Sequence, residues 1–523
     1  MALSFHVDGR SVAVADDGAS LLEVLRDRLG IRSPKDGCGP QGQCGCCTVL
    51  VDGQPRVACV TPARRVAGRR VTTLDGFPEA EREAWAGAFT ASGGSQCGFC
   101  TPGIIVRLAA LRAAGGDDVD TALLAHLCRC TGWLGVKEAF AAMGAPDGAG
   151  SSTGPARDLD AARRRARLEG GVTQDVGPHV ALGQGGFADD TAPPDALVAV
   201  PDGIGGWAVG ETLHDARAKA GKVQGRRSTI ALGHPLEVPP GDWAVTLRTT
   251  WVEPAYLEPD ASWCVPGGEP ASPLANGGAF GAKTASPAPA AARRLADEHG
   301  RPVRVLLSRE DVVRTGPKRP PVAGGIRPDG TGVLRVARTA GIAAAVATVA
   351  PGLAVEEADV AGPPTSAAIR GAGWAEAAIL LAAARGDAAV TAPSGGRAEA
   401  GIGTDGSVHV RVWCGDPLDE VVLRSYCVGA AHMALGWVRH EGVAVGPDGA
   451  PHDLTIRSFG VLRARDMPAV EVEIVDPSGP PVAVSDAVFA AVAAAAWRAD
   501  GYPPEWPTGR PPRSPATPHL EDP

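Results

Sequence analysis

Nine of the 12 cysteines fall between residues 38 and 130, where they form two tight groups. The first group has the spacing Cys38-x5-Cys44-x2-Cys47-x11-Cys59. Three thiolates from one Gly-rich loop and a fourth from a neighbouring strand are the ligand set of a plant-type 2Fe–2S cluster, whose usual spacing is C-x4-C-x2-C…C. The extra residue in the first gap predicts a local bulge at Gly39-Pro40. We predict that Cys46 is a packed thiol and not a ligand.

The second group consists of Cys97-Gly-Phe-Cys100, which precedes a predicted helix, and Cys128-Arg-Cys130, which follows another. Four thiolates from two helix ends can enclose a second 2Fe–2S cluster. A zinc site made of four thiolates is the alternative for this group. Zinc sites favour two C-x2-C pairs, however, and the C-x-C spacing at 128–130 is unusual for them. The two groups together predict eight iron ligands: Cys38, Cys44, Cys47, Cys59, Cys97, Cys100, Cys128 and Cys130.

The remaining composition narrows the class of protein. Cys264, Cys414 and Cys427 are isolated in the sequence, and we expect them to be ordinary buried thiols. The net charge of −9 and the lack of a dense basic stripe argue against nucleic acid as a partner. The sequence also lacks a signal-peptide pattern and an apolar run long enough to span a membrane, so we expect a soluble cytoplasmic protein. Clustered cysteines in such a protein bind metal more often than they form disulfides.

The first cysteine group must be positioned by the elements of residues 1–77. Residues 5–14 alternate around the turn signal Asp8-Gly9, and residues 48–60 do the same around Asp52-Gly53, which predicts two hairpins. Ser20 and Glu23 form a predicted capping box before a short amphipathic helix. Strand pair, helix, cysteine loop and strand pair is the order of a β-grasp ferredoxin domain.

The second group lies in a segment of different character, residues 78–143, which we predict to be a domain of four short helices. The helices are expected at 79–90, 104–114, 118–127 and 136–143. Residues 144–163 are predicted as a linker, 164–500 as a mixed region of strands and helices, and 501–523 as a Pro-rich tail. The predicted fold class is therefore α+β.

Three motifs in the first 143 residues carry a family resemblance. They are Gly37-Cys-Gly-Pro-Gln-Gly-Gln-Cys-Gly-Cys-Cys-Thr-Val-Leu-Val-Asp-Gly53, Gln96-Cys-Gly-Phe-Cys-Thr-Pro-Gly103 and Leu127-Cys-Arg-Cys-Thr-Gly132. This part of the chain resembles the iron–sulfur subunit of the molybdenum hydroxylases, the xanthine dehydrogenase and aldehyde oxidase family. The resemblance implies that the cluster of the helical domain sits beside a molybdopterin and that Gln96 hydrogen-bonds the pterin. It also implies that the β-grasp cluster faces a flavin.

Residues 164–500 resemble a shortened form of the same family's molybdopterin-binding large subunit. The resemblance is carried by Gly277-Gly-Ala-Phe-Gly-Ala-Lys283, by Ala368-Ile-Arg-Gly-Ala-Gly373 and by a later strand at 405–410. A Gly-Gln-Gly loop of the family is absent, and Gly479 stands where the family has a catalytic glutamate. We interpret Glu441, Glu471 and Glu473 as solvated surface, so we predict no catalytic residue in this chain.

Three hypotheses follow. In the first, the chain is an electron-transfer subunit that works with a molybdopterin-binding large subunit and an FAD-binding subunit. In the second, it is a compact, self-contained hydroxylase that binds molybdopterin itself. In the third, it is a non-catalytic scaffold or redox sensor. The absent glutamate and the shortened second half favour the first hypothesis over the second, and a complete set of eight ligands favours it over the third. The resemblance does not select among purines, aldehydes, N-heterocycles and carbon monoxide as the substrate.

Overall fold

The computed structural model describes residues 2–144, 157–221, 230–272 and 278–509. Its first domain is a mixed five-stranded sheet in the order β2-β1-β5-β3-β4, in which β1 runs parallel to β5. The elements of this domain are β1 (Ala2–Val7), β2 (Arg10–Ala15), α1 (Leu21–Glu23), β3 (Thr48–Val51), β4 (Gln54–Val57) and β5 (Arg70–Thr72). A π-helical turn, Val24–Arg28, continues α1. This arrangement confirms the predicted β-grasp sheet.

Local chemistry explains the two hairpins of this sheet. Asp8 and Gly9 have φ values of 50° and 78°, and Asp52 and Gly53 have values of 48° and 77°. Two consecutive residues with positive φ form the tight turn whose twist matches that of paired strands. The predicted capping box is only half formed. The Ser20 hydroxyl accepts a hydrogen bond from the Glu23 amide, but the Glu23 carboxylate accepts one from the amide of His214 and so ties α1 to the second half of the chain.

The second domain is helical, with α2 (Glu79–Ser92), α3 (Thr101–Ala113), α4 (Val119–Ala122) and α5 (Leu134–Ala142). The third predicted helix, 118–127, is shorter than expected. The Asp118 side chain caps α4, a 3-10 turn at Leu123–Ala125 follows, and the backbone is extended at His126. Leaving the helix here allows the Leu127 amide to donate to the carbonyl of Cys44 at 3.0 Å, which joins the two cysteine loops.

The rest of the chain contains three further four-stranded sheets, in the orders β7-β6-β10-β9, β13-β12-β11-β8 and β14-β15-β16-β17. Their strands, with the helices between them, are α6 (Leu159–Gly170), α7 (Pro178–Ala181), β6 (Leu197–Pro201), β7 (Trp207–Gly210), α8 (Leu213–Ala220), β8 (Val245–Arg248), β9 (Ala261–Cys264), α9 (Ala288–His299), β10 (Val303–Leu306), α10 (Arg309–Thr315), β11 (Val322–Ile326), β12 (Gly332–Ala337), α11 (Ile342–Ala347), β13 (Leu353–Ala358), α12 (Trp374–Arg385), β14 (Ala389–Thr391), β15 (Arg397–Ile402), β16 (Val408–Trp413), α13 (Glu420–Arg439), β17 (Val470–Ile474) and α14 (Ser485–Ala499).

Two predicted boundaries differ from the structure. Helix α6 begins at Leu159, inside the predicted linker 144–163, because the Asp158 side chain accepts hydrogen bonds from the first amides of the helix. Residues 145–156 of that linker lie outside the described residues. The start of the predicted tail is also packed, since Trp506 is buried edge-on against Trp437 and Trp497. Residues 510–523 of the tail are likewise outside the described part.

Helix α13 lies at the centre of the large region and contacts the helical iron–sulfur domain. Within the described residues, it is the one helix long and apolar enough to cross a membrane, by length and composition alone. Its most apolar window is 89% buried inside the protein, which is the pattern of a core helix. It packs on α6 through Val422 and Tyr426, and on α14 through the stacked rings of Trp437 and Phe489.

Candidate iron–sulfur centres

The four predicted ligands of the first group converge beneath the β-grasp sheet, and each is at most 4% exposed. Hydrogen bonds from the thiols of Cys44 and Cys59 lower the pKa of Cys38. Two backbone amides already point at the sulfurs. The Gln41 amide donates to Cys38 Sγ at 3.1 Å, and the Cys59 amide donates to Cys47 Sγ at 3.4 Å. Such N–H···S contacts help to set the potential of a bound cluster.

The second group converges in the same way, between the start of α3 and the loop before α5. The sulfurs of Cys97 and Cys130 are 3.5 Å apart. Hydrogen bonds from Cys100 and Cys130 lower the pKa of Cys128, whose sulfur also lies 3.1 Å from the Thr131 hydroxyl. The residues present in both groups therefore fit a bound 2Fe–2S cluster, because four thiols, and not two, approach one another in each. The cluster supplies reversible one-electron chemistry when bound.

The loops that carry the two groups touch each other. Besides the Leu127–Cys44 backbone bond, the ring of His126 lies 3.1 Å from the Thr48 hydroxyl, and burial lowers the pKa of His126 to about 3. The imidazole is therefore neutral at physiological pH. The two loops are thus in direct contact, which keeps the path between the two cysteine groups short.

The other cysteines lie where the sequence predicts. Cys46 is completely buried. Its sulfur and that of Cys44 lie beside the same glycine, because a Cβ added at Gly37 would be 3.1 Å from each of them. Cys264, Cys414 and Cys427 are each 0% exposed, which confirms that they are buried thiols.

One carboxylate beside the first group was missed in the sequence. Ligand atoms of Asp36, Cys38 and Cys59 lie within 4.8 Å of one another. Burial raises the pKa of Asp36 to about 6, while its carboxylate accepts the amide of Gly39 at 3.0 Å. Its position two residues before Cys38 is the feature of the sequence that could have placed it at this site.

The second half of the chain covers the second group. A Cβ on Gly429 of α13 would sit only 1.8 Å from the carbonyl oxygen of Cys130, so the helix approaches this ligand as closely as a backbone can. Gly278, in the Gly-rich loop, is close to the sulfur of Cys130, since a Cβ added at this glycine would lie 2.8 Å from Cys130 Sγ. The Gln96 amide nitrogen donates to the Cys130 carbonyl at 2.9 Å and to the Ser425 hydroxyl at 3.0 Å. Both N–H groups of this amide are thus used within the chain.

The cavities beside Gln96 and Arg370 do not fit an enclosed molybdopterin. The cavity beside Gln96, bounded by Gln174 and Tyr426, has a volume of about 20 Å³. The cavity beside Arg370, bounded by Phe280, is of the same size, about 20 Å³. Each has room for about one water molecule, whereas pockets for cofactors typically run to ~300–1,000 Å³. The Arg370 guanidinium stacks on the Phe280 ring at 4.1 Å, so no space is left between these two side chains.

The interpretation of one acidic residue needs correction. Glu441 is not solvated surface: it is 1% exposed and accepts two hydrogen bonds from Arg129, at 2.6 and 2.8 Å. This ion pair spans 312 positions of sequence and could not be read from local pattern. Glu471 and Glu473 are exposed, as predicted. Gly479 is exposed, with open space around its Cα, and it does not line the cavity of Arg370.

Both cysteine domains match family models. Residues 5–68 match a 2Fe-2S iron-sulfur cluster binding domain, and residues 73–141 match a second 2Fe-2S binding domain. The first 143 residues thus form a two-cluster iron–sulfur module.

Named relatives match the same part of the chain. A probable xanthine dehydrogenase subunit of Bacillus subtilis is 38% identical over 120 residues, which are 22% of this chain and 69% of that protein. The nicotinate dehydrogenase small FeS subunit of Eubacterium barkeri is 34% identical over 142 residues, 26% of this chain and 89% of that protein. The chain spans only 14% of the aldehyde oxidoreductase of Megalodesulfovibrio gigas, at 42% identity. The chain belongs to the molybdenum hydroxylase family as a 2Fe–2S subunit, and is therefore an electron-transfer component of an oxidoreductase.

Solved structures extend the likeness to the whole fold. The aldehyde oxidoreductase of Desulfovibrio gigas aligns with a TM-score of 0.68 over 97% of this chain and 99% of that chain, at 15% identity. The corresponding enzyme of Desulfovibrio desulfuricans aligns with a TM-score of 0.65 over 94% of this chain, also at 15% identity. At this identity the likeness concerns the fold alone, and it includes the region 157–509.

Proposed function

We propose that this chain is a cytoplasmic electron carrier that links two partner subunits, one with molybdopterin and one with FAD. Its eight ligands are Cys38, Cys44, Cys47 and Cys59 for the first cluster, and Cys97, Cys100, Cys128 and Cys130 for the second. Electrons enter at the second cluster and leave from the first. The observation that carries the proposal is the direct contact between the two cysteine loops, at the Leu127–Cys44 hydrogen bond and the His126–Thr48 contact.

The two alternatives explain less of the molecule. A self-contained hydroxylase needs room for the pterin and a free carboxylate beside Gln96 and Arg370. The two cavities there hold about one water each, and Glu441 is paired with Arg129. A scaffold needs neither eight converging thiols nor contact between their loops. Gln96 remains the residue proposed to face a partner's pterin, through the rim of the cavity that it lines.

The first test is the metal content of the chain, purified without oxygen. We expect four irons and four sulfides per chain, in two centres that electron paramagnetic resonance (EPR) distinguishes after reduction, since each quartet holds one 2Fe–2S cluster. Stoichiometric zinc without acid-labile sulfide would contradict the proposal.

The direction of flow is tested with Cys128→Ser, which removes a ligand of the second cluster. Dithionite should still reduce the first cluster of this variant, whereas substrate plus the molybdopterin-bearing partner should not. Cys264→Ser is the matched control, because Cys264 is equally buried but lies in β9, away from both quartets. Partner-dependent reduction of the first cluster at the normal rate in Cys128→Ser would exclude this order of transfer.

A further inference from the structure

Arg309 is a fully buried arginine whose charge has no carboxylate partner among the described residues. It is 0% exposed and is the first residue of α10. Its Nη2 donates to the carbonyl oxygens of Gly37 and Leu257, at 2.7 and 2.9 Å. Its Nε and Nη1 have no hydrogen-bond partner in the described part of the chain.

The other buried arginines of the described chain differ from Arg309 in this respect. Each has a carboxylate within 4 Å, in the pairs Arg26–Asp189, Arg129–Glu441, Arg165–Glu169, Arg304–Asp27, Arg319–Glu376 and Arg370–Asp486. The acids on α10 itself are engaged elsewhere, Glu310 with Arg314 and Asp311 with Ser308. A buried charge without a counter-charge is costly, so a missing anion is expected near Arg309.

A single peptide unit, that of Gly37, separates the Arg309 guanidinium from the first cysteine quartet. Gly37 precedes Cys38, and a Cβ on Gly37 would sit 3.1 Å from Cys44 Sγ and 3.2 Å from the Leu257 carbonyl that Arg309 holds. Two ferric ions, two sulfides and four thiolates sum to a net negative charge, which grows by one unit on reduction. The cluster is thus an anion of the required sign at the required place.

We propose that Arg309 is the buried counter-charge of the first 2Fe–2S cluster and raises its reduction potential. A fixed positive charge stabilises the reduced cluster more than the oxidised one, because the reduced form is the more negative. Burial keeps salt from screening this interaction. The inference rests on the two-cluster assignment of the proposed function, which iron and sulfide analysis tests separately.

The test compares Arg309→Gln and Arg309→Lys in the full chain with both clusters loaded, by EPR-monitored redox titration. Arg309→Gln should lower the reduction equilibrium constant of the first cluster about tenfold, a shift of about 59 mV for a one-electron couple. The second cluster should keep its potential. Arg309→Lys keeps the charge and should recover most of the shift.

Two arginines provide matched controls. Arg314→Gln changes an arginine on the same helix that is half exposed and paired with Glu310, and should shift neither cluster. Arg457→Gln removes an exposed arginine that donates to the Gln43 carbonyl of the cysteine loop, and its smaller shift should disappear at high salt. The shift in Arg309→Gln should persist at high salt.

Three results would overturn the proposal. One is an unchanged first-cluster potential in an Arg309→Gln protein with full iron and sulfide. Another is an equal shift of both clusters. The last is loss of the first cluster in Arg309→Gln and Arg309→Lys alike, which would assign Arg309 to assembly of the site and not to its potential.

Discussion

Cys46 and Cys47 are neighbours in the chain but stand in different relations to the first quartet. Cys47 Sγ accepts the Cys59 amide, whereas Cys46 Sγ lies beside Cys44 and its thiol has the Cys44 carbonyl as an acceptor at 3.9 Å. We therefore expect Cys46→Ala to retain both clusters and Cys47→Ala to lose the first, because only Cys47 completes the ligand set. Iron and sulfide content, with the EPR signal of each reduced centre, measures this. Loss of a cluster in Cys46→Ala but not in Cys47→Ala would reverse the assignment.

Individual residues show what sequence can and cannot predict at this scale. The eight proposed ligands can be selected from sequence because their types and spacing are local, within a few dozen residues. The groups that surround them come from far along the chain: Arg309 reaches Gly37 across 272 positions, and Arg129 meets Glu441 across 312. A single sequence has no pattern that pairs such residues, and Glu441 was for this reason misread as surface.

At the scale of elements, helix α13 decides how closely the second half of the chain covers the second cluster. Its Gly429 has no room for a side chain, because a Cβ would meet the Cys130 carbonyl at 1.8 Å. Gly429→Ala should therefore destabilise the protein by about 1–3 kcal/mol, the typical cost of overpacking. It should also alter the EPR signal of the second cluster and leave that of the first unchanged.

Gly87 of α2 provides the matched control for this contact between α13 and the Cys130 loop. It is also a glycine in a helix interior, but nothing lies within 4 Å of its Cβ position. Gly87→Ala should raise stability by about 1 kcal/mol, the difference in helix propensity between the two residues. Thermal unfolding of both variants checks the pair. A stabilising Gly429→Ala would show that α13 does not press on Cys130.

The elements that sequence pattern predicted well are those with strong local signals. Both β-grasp hairpins formed at Asp-Gly turns, and α2 begins at Glu79 as expected. Boundaries failed where tertiary contacts decide them. The helix after Asp118 ends early because the Leu127 amide bonds to the carbonyl of Cys44. Helix α6 starts inside the predicted linker because Asp158 caps its first turn and because the helix packs on α13.

At the scale of the whole molecule, the region 157–509 has the fold of a large enzyme but leaves little space beside Gln96 and Arg370. Its fold aligns with an aldehyde oxidoreductase over 97% of this chain, while the cavities beside Gln96 and Arg370 have volumes of about 20 Å³ each. The shortened sequence indicated a degenerate region, but the packing that fills it, such as Arg370 on Phe280, could not be foreseen.

The last prediction follows from this packing: the chain alone should not hydroxylate substrates. The cavities beside Gln96 and Arg370 cannot enclose a pterin, and the buried carboxylates that line the cavity of Arg370 are paired, Glu441 with Arg129 and Glu253 with Lys318. General-base catalysis typically contributes ~10²–10⁴-fold, so the absence of a free base alone would leave little turnover.

The chain should be purified from a host that makes molybdenum cofactor, and its molybdenum content and dye reduction with xanthine and aromatic aldehydes measured. We expect little molybdenum and no turnover, with activity only after subunits that carry molybdopterin and flavin are added. Cys128→Ser, supplied with the same partners, should stay inactive because electrons enter the chain at the second cluster. Stoichiometric molybdenum with turnover by the isolated chain would instead establish a self-contained hydroxylase.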